Sequence, residues 1–165
     1  MKTILAIQPT GRHLGYAVLE GPNLVAQGTK FLTYNRPLPY RVHQVAMPFF
    51  RSLVEQYQPD IVILPTPTKA LGTTKNRFLR ALRIEVIRRP VSTHSISRHD
   101  IQQTFEPFLR KPRPSKDLIM RLLTRWFPQL ASFLPAERRA WDSTDYWVYM
   151  FDAVSLAITF LHHDA

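Results

Sequence analysis

Ile4-Leu5-Ala6-Ile7-Gln8-Pro9-Thr10-Gly11-Arg12-His13-Leu14-Gly15-Tyr16-Ala17-Val18-Leu19-Glu20 is the stretch on which the reading of the fold turns. Ile4 to Ile7 form a short apolar run of the kind that fills a buried strand, Pro9 to Gly11 supply turn residues, and Gly15 to Leu19 restart a strand. The pattern predicts a β-hairpin with Gln8 at the end of its first strand. A carboxylate there would be a natural ligand for a hard divalent cation, which takes anionic oxygens. Glutamine offers one neutral carbonyl oxygen and an amide that takes up no charge. Gln8 therefore reads either as a residue capping the turn through hydrogen bonds or as a departure from a metal-binding pattern.

Leu24 to Leu32 predicts a third strand, so three antiparallel strands open the chain, and Pro37 and Pro39 then break it. Between Tyr40 and Tyr57, Val42, Val45, Ala46, Phe49, Phe50, Leu53 and Val54 recur at helical spacing, with Pro48 expected to kink or restart the helix. Ile61 to Leu64 reads as a buried strand, Thr73 to Val86 as a helix, Pro90 to His94 as a strand and Ser97 to Phe105 as a short helix. Ser115 is placed to cap a helix whose buried side carries Leu118, Ile119, Leu122, Leu123, Trp126 and Phe127. A last helix follows Asp142-Ser143-Thr144 and runs to about Leu161. Three leading strands followed by alternating strand and helix predict one α/β domain over residues 1–165, with a mixed sheet and no internal repeat.

Charge bounds the partners. Lys and Arg number 22 against 12 Asp and Glu, a net +10, which favours a polyanion through counterion release. The absence of cysteine excludes disulfides, thiolate metal sites and cysteine nucleophiles. The first apolar run is too short for a leader, and no stretch approaches the roughly 20 apolar residues of a membrane helix. A soluble, cytoplasmic protein that binds nucleic acid and no membrane is expected. Lys75, Arg77, Arg80 and Arg83 form one candidate basic ridge, and Arg110, Lys111, Arg113 and Lys116 another, extended by Arg121 and Arg125. Each reads as a phosphate-contacting face or as a merely solvated one, and phosphate contacts carry no sequence preference.

The last helix holds Asp145, Tyr149 and Asp152, with Asp152 inside the apolar run Phe151 to Ile158. A lone buried carboxylate is costly unless paired, hydrogen-bonded or metal-bound, so Asp152 is either a site residue or a rim acid bonded to an arginine. Asp145 shares its helix face but lies about 10 Å away along the axis, too far to share one ion easily. His162-His163-Asp164 reads as a frayed tail or a weak transition-metal site. Thr66 to Thr74 lacks the glycine spacing of a phosphate-binding loop. Phe49, Phe50, Trp126, Phe127, Trp141 and Trp147 are assigned to the core.

Ile4 to Ile7 with Arg12 and Gly15-Tyr16, Gln58-Pro59-Asp60-Ile61-Val62-Ile63-Leu64, Arg98 to Gln103, Lys116 opening a helix after a basic loop, and Asp152-Ala153 with Leu156-Ala157 occur in one order across the chain. In that order they resemble the RuvC family of Holliday-junction resolvases. The resemblance implies a ribonuclease-H-like mixed sheet, three antiparallel leading strands and then parallel strands, flanked by helices. It also implies DNA rather than RNA as ligand, and a homodimer. Such enzymes cut with carboxylates holding two divalent ions about 3.5–4 Å apart. The implied acid positions fall on Gln8, Pro65, Tyr149 and Asp152, of which only Asp152 is an acid. The implied nucleic-acid contacts are Arg12 and the two basic ridges through Arg121. The expected protein is a catalytically impaired binder of branched or structured DNA with no metal cofactor. The alternatives are an active magnesium-dependent junction endonuclease with shifted ligands, and a non-catalytic protein-assembly module.

Overall fold

The computed structural model describes residues 1–33, 35–67, 73–134 and 146–164, with backbone only at residues 73–75. β1 (Thr3–Pro9), β2 (His13–Glu20) and β3 (Asn23–Phe31) form an antiparallel meander, and β4 (Ile61–Pro65) and β5 (Ser92–Ile96) extend it in parallel beyond β1. The order β3-β2-β1-β4-β5 is the expected mixed sheet. The Ile4 to Ile7 run is apolar throughout because both faces of β1 are covered. Ile4, Ala6, Ala17, Ile61 and Ile63 point into one core, built with α4 (Arg98–Leu109), α5 (Lys116–Trp126) and α6 (Val148–Asp164). Leu5, Ile7, Val18, Val62 and Leu64 point into the other, beneath α2 (Met47–Tyr57) and α3 (Thr73–Ile87).

Several boundaries differ from the sequence pattern for identifiable reasons. Ahead of α2 lie a three-residue α1 (Leu38–Tyr40) and a π-helical turn, Arg41–Ala46, which ends with the Met47 N–H donating to the Val42 carbonyl. This five-residue step delivers the chain to Pro48 in the first turn of α2, where its missing N–H costs nothing. β5 starts two residues later than predicted, since Ser92 to Ser95 are exposed on an edge strand and carry no hydrophobic alternation. α4 runs past Pro107 to Leu109. The helical bond that Pro107 forfeits belongs to the carbonyl of Gln103, an exposed residue. Ser115 does cap α5, its hydroxyl accepting from the Leu118 N–H.

Of the predicted core aromatics, Phe50 is fully buried, while Phe49, Trp126, Phe127 and Trp147 pack against the two cores. Trp141, Asp145 and the start assigned to the last helix lie outside the described residues, as does most of Thr66 to Thr74. The C-terminal histidines are not a frayed tail. Both sit in the last turns of α6, where His163 Nε2 lies 3.1 Å from Thr104 Oγ1 of α4. Among the described residues, no helix is long and apolar enough to cross a membrane.

Candidate functional site

The C-terminal ends of β1 and β4 lie side by side because the strands are parallel, with Ala6 paired to Ile63. Gln8 and Pro65 each lie two residues further along their strands. Side chains alternate along a strand, so Gln8 and Pro65 share the face of Ala6 and Ile63, which is the α6 face. Across the hairpin Gln8 pairs with Gly15. A Cβ on Gly15 would stand 2.1 Å from the Tyr149 carbonyl oxygen, so the first turn of α6 rests directly on the hairpin at that pair. Gln8, Pro65, Tyr149 and Asp152, one helical turn beyond Tyr149, thus gather at one end of one face.

The donor set is unlike that of a two-ion centre. Gln8 is 7 % exposed and neutral, and Pro65 is buried and has no ligand atom. It is Thr10 that holds the hairpin turn, its hydroxyl accepting from the His13 N–H at 2.9 Å and its own N–H donating to the His13 carbonyl at 2.8 Å. Tyr149 stacks on the His13 imidazole with ring centroids 4.8 Å apart, and Tyr146 and Phe31 close round the same imidazole at 5.3 and 5.5 Å. Burial first, and the Arg12 charge second, push the His13 pKa down, leaving the imidazole neutral near pH 7. The Tyr146 hydroxyl donates to the Thr29 carbonyl, tying this aromatic cluster to β3.

Asp152 is 16 % exposed and accepts from Lys116 Nζ at 3.1 Å. Arg98, at the start of α4, also acts on it: burial lowers the Arg98 pKa while the Asp152 charge opposes the shift. Asp152 is thus a partly exposed acid whose direct partner is a lysine. Ser97 fixes Arg98 in place through a capping box, in which Ser97 Oγ accepts from the Asp100 N–H and Asp100 Oδ2 accepts from the Ser97 N–H. Among the described residues, no three His, Asp or Glu side chains come together as a possible ion cage. The described residues at these strand ends do not fit a two-ion catalytic centre.

The basic residues are spread over several elements. Arg77 and Arg80 are exposed on α3 and turn toward α2. Arg83 leaves that ridge, its Nη2 donating to Ser95 Oγ of β5 at 2.6 Å, because a three-residue repeat slips about 60° round a helix at every step. Arg110, Lys111 and Arg113 are exposed in the loop between α4 and α5, with Arg110 and Arg113 at positive φ. Arg110 and Lys111 line an open groove of about 580 Å³ with Glu106, Gln103, Pro107 and Pro112. Lys116 belongs to the Asp152 site instead, Arg121 and Arg125 are exposed on α5, and Arg12 is exposed at the hairpin turn. The Lys75 side chain is outside the described residues. Arg98 and His13 carry no site role in the sequence reading, although each lies within a stretch quoted there.

No family model and no curated protein matches the chain. Its fold is that of solved resolvases. RuvC of T. thermophilus in complex with a Holliday junction substrate superposes with a TM-score of 0.70 at 14 % identity, over 99 % of this chain and 96 % of that one. The yeast mitochondrial Holliday junction resolvase gives 0.62 at 14 % identity, covering 96 % and 77 %. The fowlpox virus Holliday junction resolvase gives 0.60 at 12 % identity, covering 98 % and 99 %. At such identities the likeness establishes a RuvC-like, ribonuclease-H-like fold.

Proposed function

We propose that this chain binds branched or structured DNA through its basic surfaces and does not cut it. The observation that carries the reading is the Lys116–Asp152 pair at 3.1 Å, set where Gln8 and Pro65 close the ends of β1 and β4. A two-ion nuclease needs several carboxylates to hold its metals and activate water; among the described residues Asp152 is the one acid of the four family positions, and Lys116 is already paired with it. The surplus of cations remains on the exposed helices and loop, and sequence-independent phosphate binding needs no more than that. A homodimer in the cytoplasm completes the reading, since a two-fold pair matches the symmetry of a four-way junction.

The test is a labelled four-way junction incubated with the protein in magnesium and in manganese. Expected are a retarded complex, an affinity that falls steeply with salt, and no cleavage. Metal-dependent cutting that is lost in Asp152→Asn would overturn the non-cutting half, and a salt-insensitive or absent complex the binding half.

A further inference from the structure

The two edges of the sheet differ in how they are guarded. At β3 a register shift interrupts the ladder with β2, and two of its carbonyls accept from side chains, that of Leu24 from Gln129 Nε2 at 2.8 Å and that of Thr29 from the Tyr146 hydroxyl. Natural sheets blunt an edge by bulges and coverings of this kind. β5, the opposite edge, is bare. Ser92 to Ser95 are exposed, the register with β4 runs unbroken from Ser92 to Ile96, and the strand holds no proline, lysine or carboxylate. Among the described residues no side chain bonds to its backbone. In a parallel pair, one residue turns both its N–H and its C=O toward the neighbour and the next turns both away. The Ser92 N–H donates to the Asp60 carbonyl and the Ile96 carbonyl accepts from the Thr66 N–H, both on the β4 side. Thr93 and Ser95 therefore aim their backbone groups out of the sheet.

Thr93 and Ser95 pair with Val62 and Leu64, so their side chains share the α3 face. There Arg83 Nη2 donates to Ser95 Oγ at 2.6 Å, while Arg83 Nε is buried with no bond and no acid pairs with this guanidinium among the described residues. Between Thr73 and Arg98 the sequence has seven basic side chains and one acid, Glu85, which Arg51 and Arg89 already hold. An acid for Arg83 must come from whatever lies against this edge. We propose that β5 takes an extended acidic segment of a partner protein as a sixth strand, its main chain bonded to Thr93 and Ser95 and a carboxylate set on Arg83. In an antiparallel arrangement the residue opposite Ser95 exchanges both backbone bonds with it and lies on the same face, which fixes the position of the acid. A nucleic-acid strand is a poorer occupant, because the outward carbonyls that alternate with the N–H groups only accept and so repel phosphates. A second copy is poorer too, because two-fold pairing of β5 with itself puts both Arg83 side chains on one face with no acid between them.

The experiment titrates the full chain, by anisotropy at about 0.15 M salt, into a fluorescein-labelled heptapeptide that alternates glutamate with valine. Expected is saturable binding that disappears when every peptide nitrogen is methylated, a change that keeps the charge and removes the donors. Ser95→Pro should weaken binding about tenfold, since the N–H it loses faces away from β4 and the ladder stays intact. Arg83→Gln should weaken the glutamate peptide about fivefold and leave a glutamine-valine peptide unmoved. Melting curves of both variants confirm folding, and the methylated peptide tests the wild type whatever they show. Equal binding of the methylated peptide reduces the contact to charge alone and overturns the proposal, as does an unchanged affinity in folded Ser95→Pro. Wild type that binds neither peptide overturns it as well. A wild-type dimer that Ser95→Pro dissociates in sedimentation, with no peptide bound, assigns β5 to a second copy and likewise overturns it.

Discussion

Replacing Gly15 by alanine tests the contact that assembles the candidate site. Gly15 has ordinary backbone angles, so the substitution introduces no φ strain, and what it adds is one methyl group. That methyl would lie 2.1 Å from the Tyr149 carbonyl oxygen, 2.3 Å from its carbonyl carbon and 2.9 Å from the Met150 nitrogen. Ordinary contact begins near 3.4 Å, so α6 must retreat by about 1.3 Å, and backbone has no rotamer with which to yield. Overpacking of a tight core costs about 1–3 kcal/mol, and a clash with helix backbone belongs at the top of that range. The retreat also loosens Val148, Met150 and Phe151, all buried at the start of α6. For a chain of this size, a loss of about 3 kcal/mol lowers the melting temperature by roughly 6–12 °C. Gly28→Ala is the control. The three atoms nearest its methyl all belong to the Tyr16 side chain, at 2.8 to 2.9 Å, and a partly buried side chain can turn aside for about 1 kcal/mol. Circular dichroism melts of both variants decide the matter. A Gly15→Ala protein melting within about 2 °C of wild type would refute the close seating of α6 on the hairpin and, with it, the convergence of Tyr149 and Gln8.

The Glu85 carboxyl is depressed from 4.5 to about 2, chiefly by the Arg51 bond. Its contribution to stability is thus complete above pH 4.5 and drains away as pH falls toward 2; urea unfolding at pH 7, 4 and 2.5 should show a smaller acid loss in Glu85→Gln than in wild type. Ser97→Ala removes the α4 capping box and should cost about 1 kcal/mol by the same assay, and an unchanged midpoint would deny the cap its role. A double-mutant cycle of Lys116→Met and Asp152→Asn should return a coupling of about 0.5–1 kcal/mol, since the lysine is half exposed; zero coupling would make the pair incidental.

Most of the fold was legible because burial leaves a period in the sequence. The hairpin and β4 are apolar runs bounded by turn residues, and the α5 cap announces itself as Ser115 before an amphipathic helix. Where burial leaves no period, legibility ended. β5 is an exposed edge strand, the three-residue spacing of Arg77, Arg80 and Arg83 looked like one face and is two, and the π turn before Pro48 has no hydrophobic signature. The candidate site was legible as absences, Gln8, Pro65 and Tyr149, but its positive content was not. Lys116 reaches Asp152 from 36 residues away in sequence, and His13 meets Tyr149 only once α6 has docked on β2. Long-range pairings of this kind follow from topology, which no local pattern encodes.

The same pairings determine what it would take to create a metal centre. On the proposed reading, a single acid placed at Gln8 would face Pro65 and a tyrosine stacked on His13, and any ion would still compete with the Lys116 ammonium for Asp152. Divalent affinity comes from several anionic oxygens acting together, so the step should be cooperative: Gln8→Asp alone should bind no manganese by titration calorimetry. Gln8→Asp/Pro65→Glu/Tyr149→Asp places three carboxylates beside Asp152 and should bind it, and removing Lys116 as well should tighten the binding further. Manganese binding by the single variant would mean that acids outside these positions already reach the site, reviving the active-nuclease reading. A folded triple variant that binds none would mean that the strand ends and α6 do not converge closely enough to hold an ion.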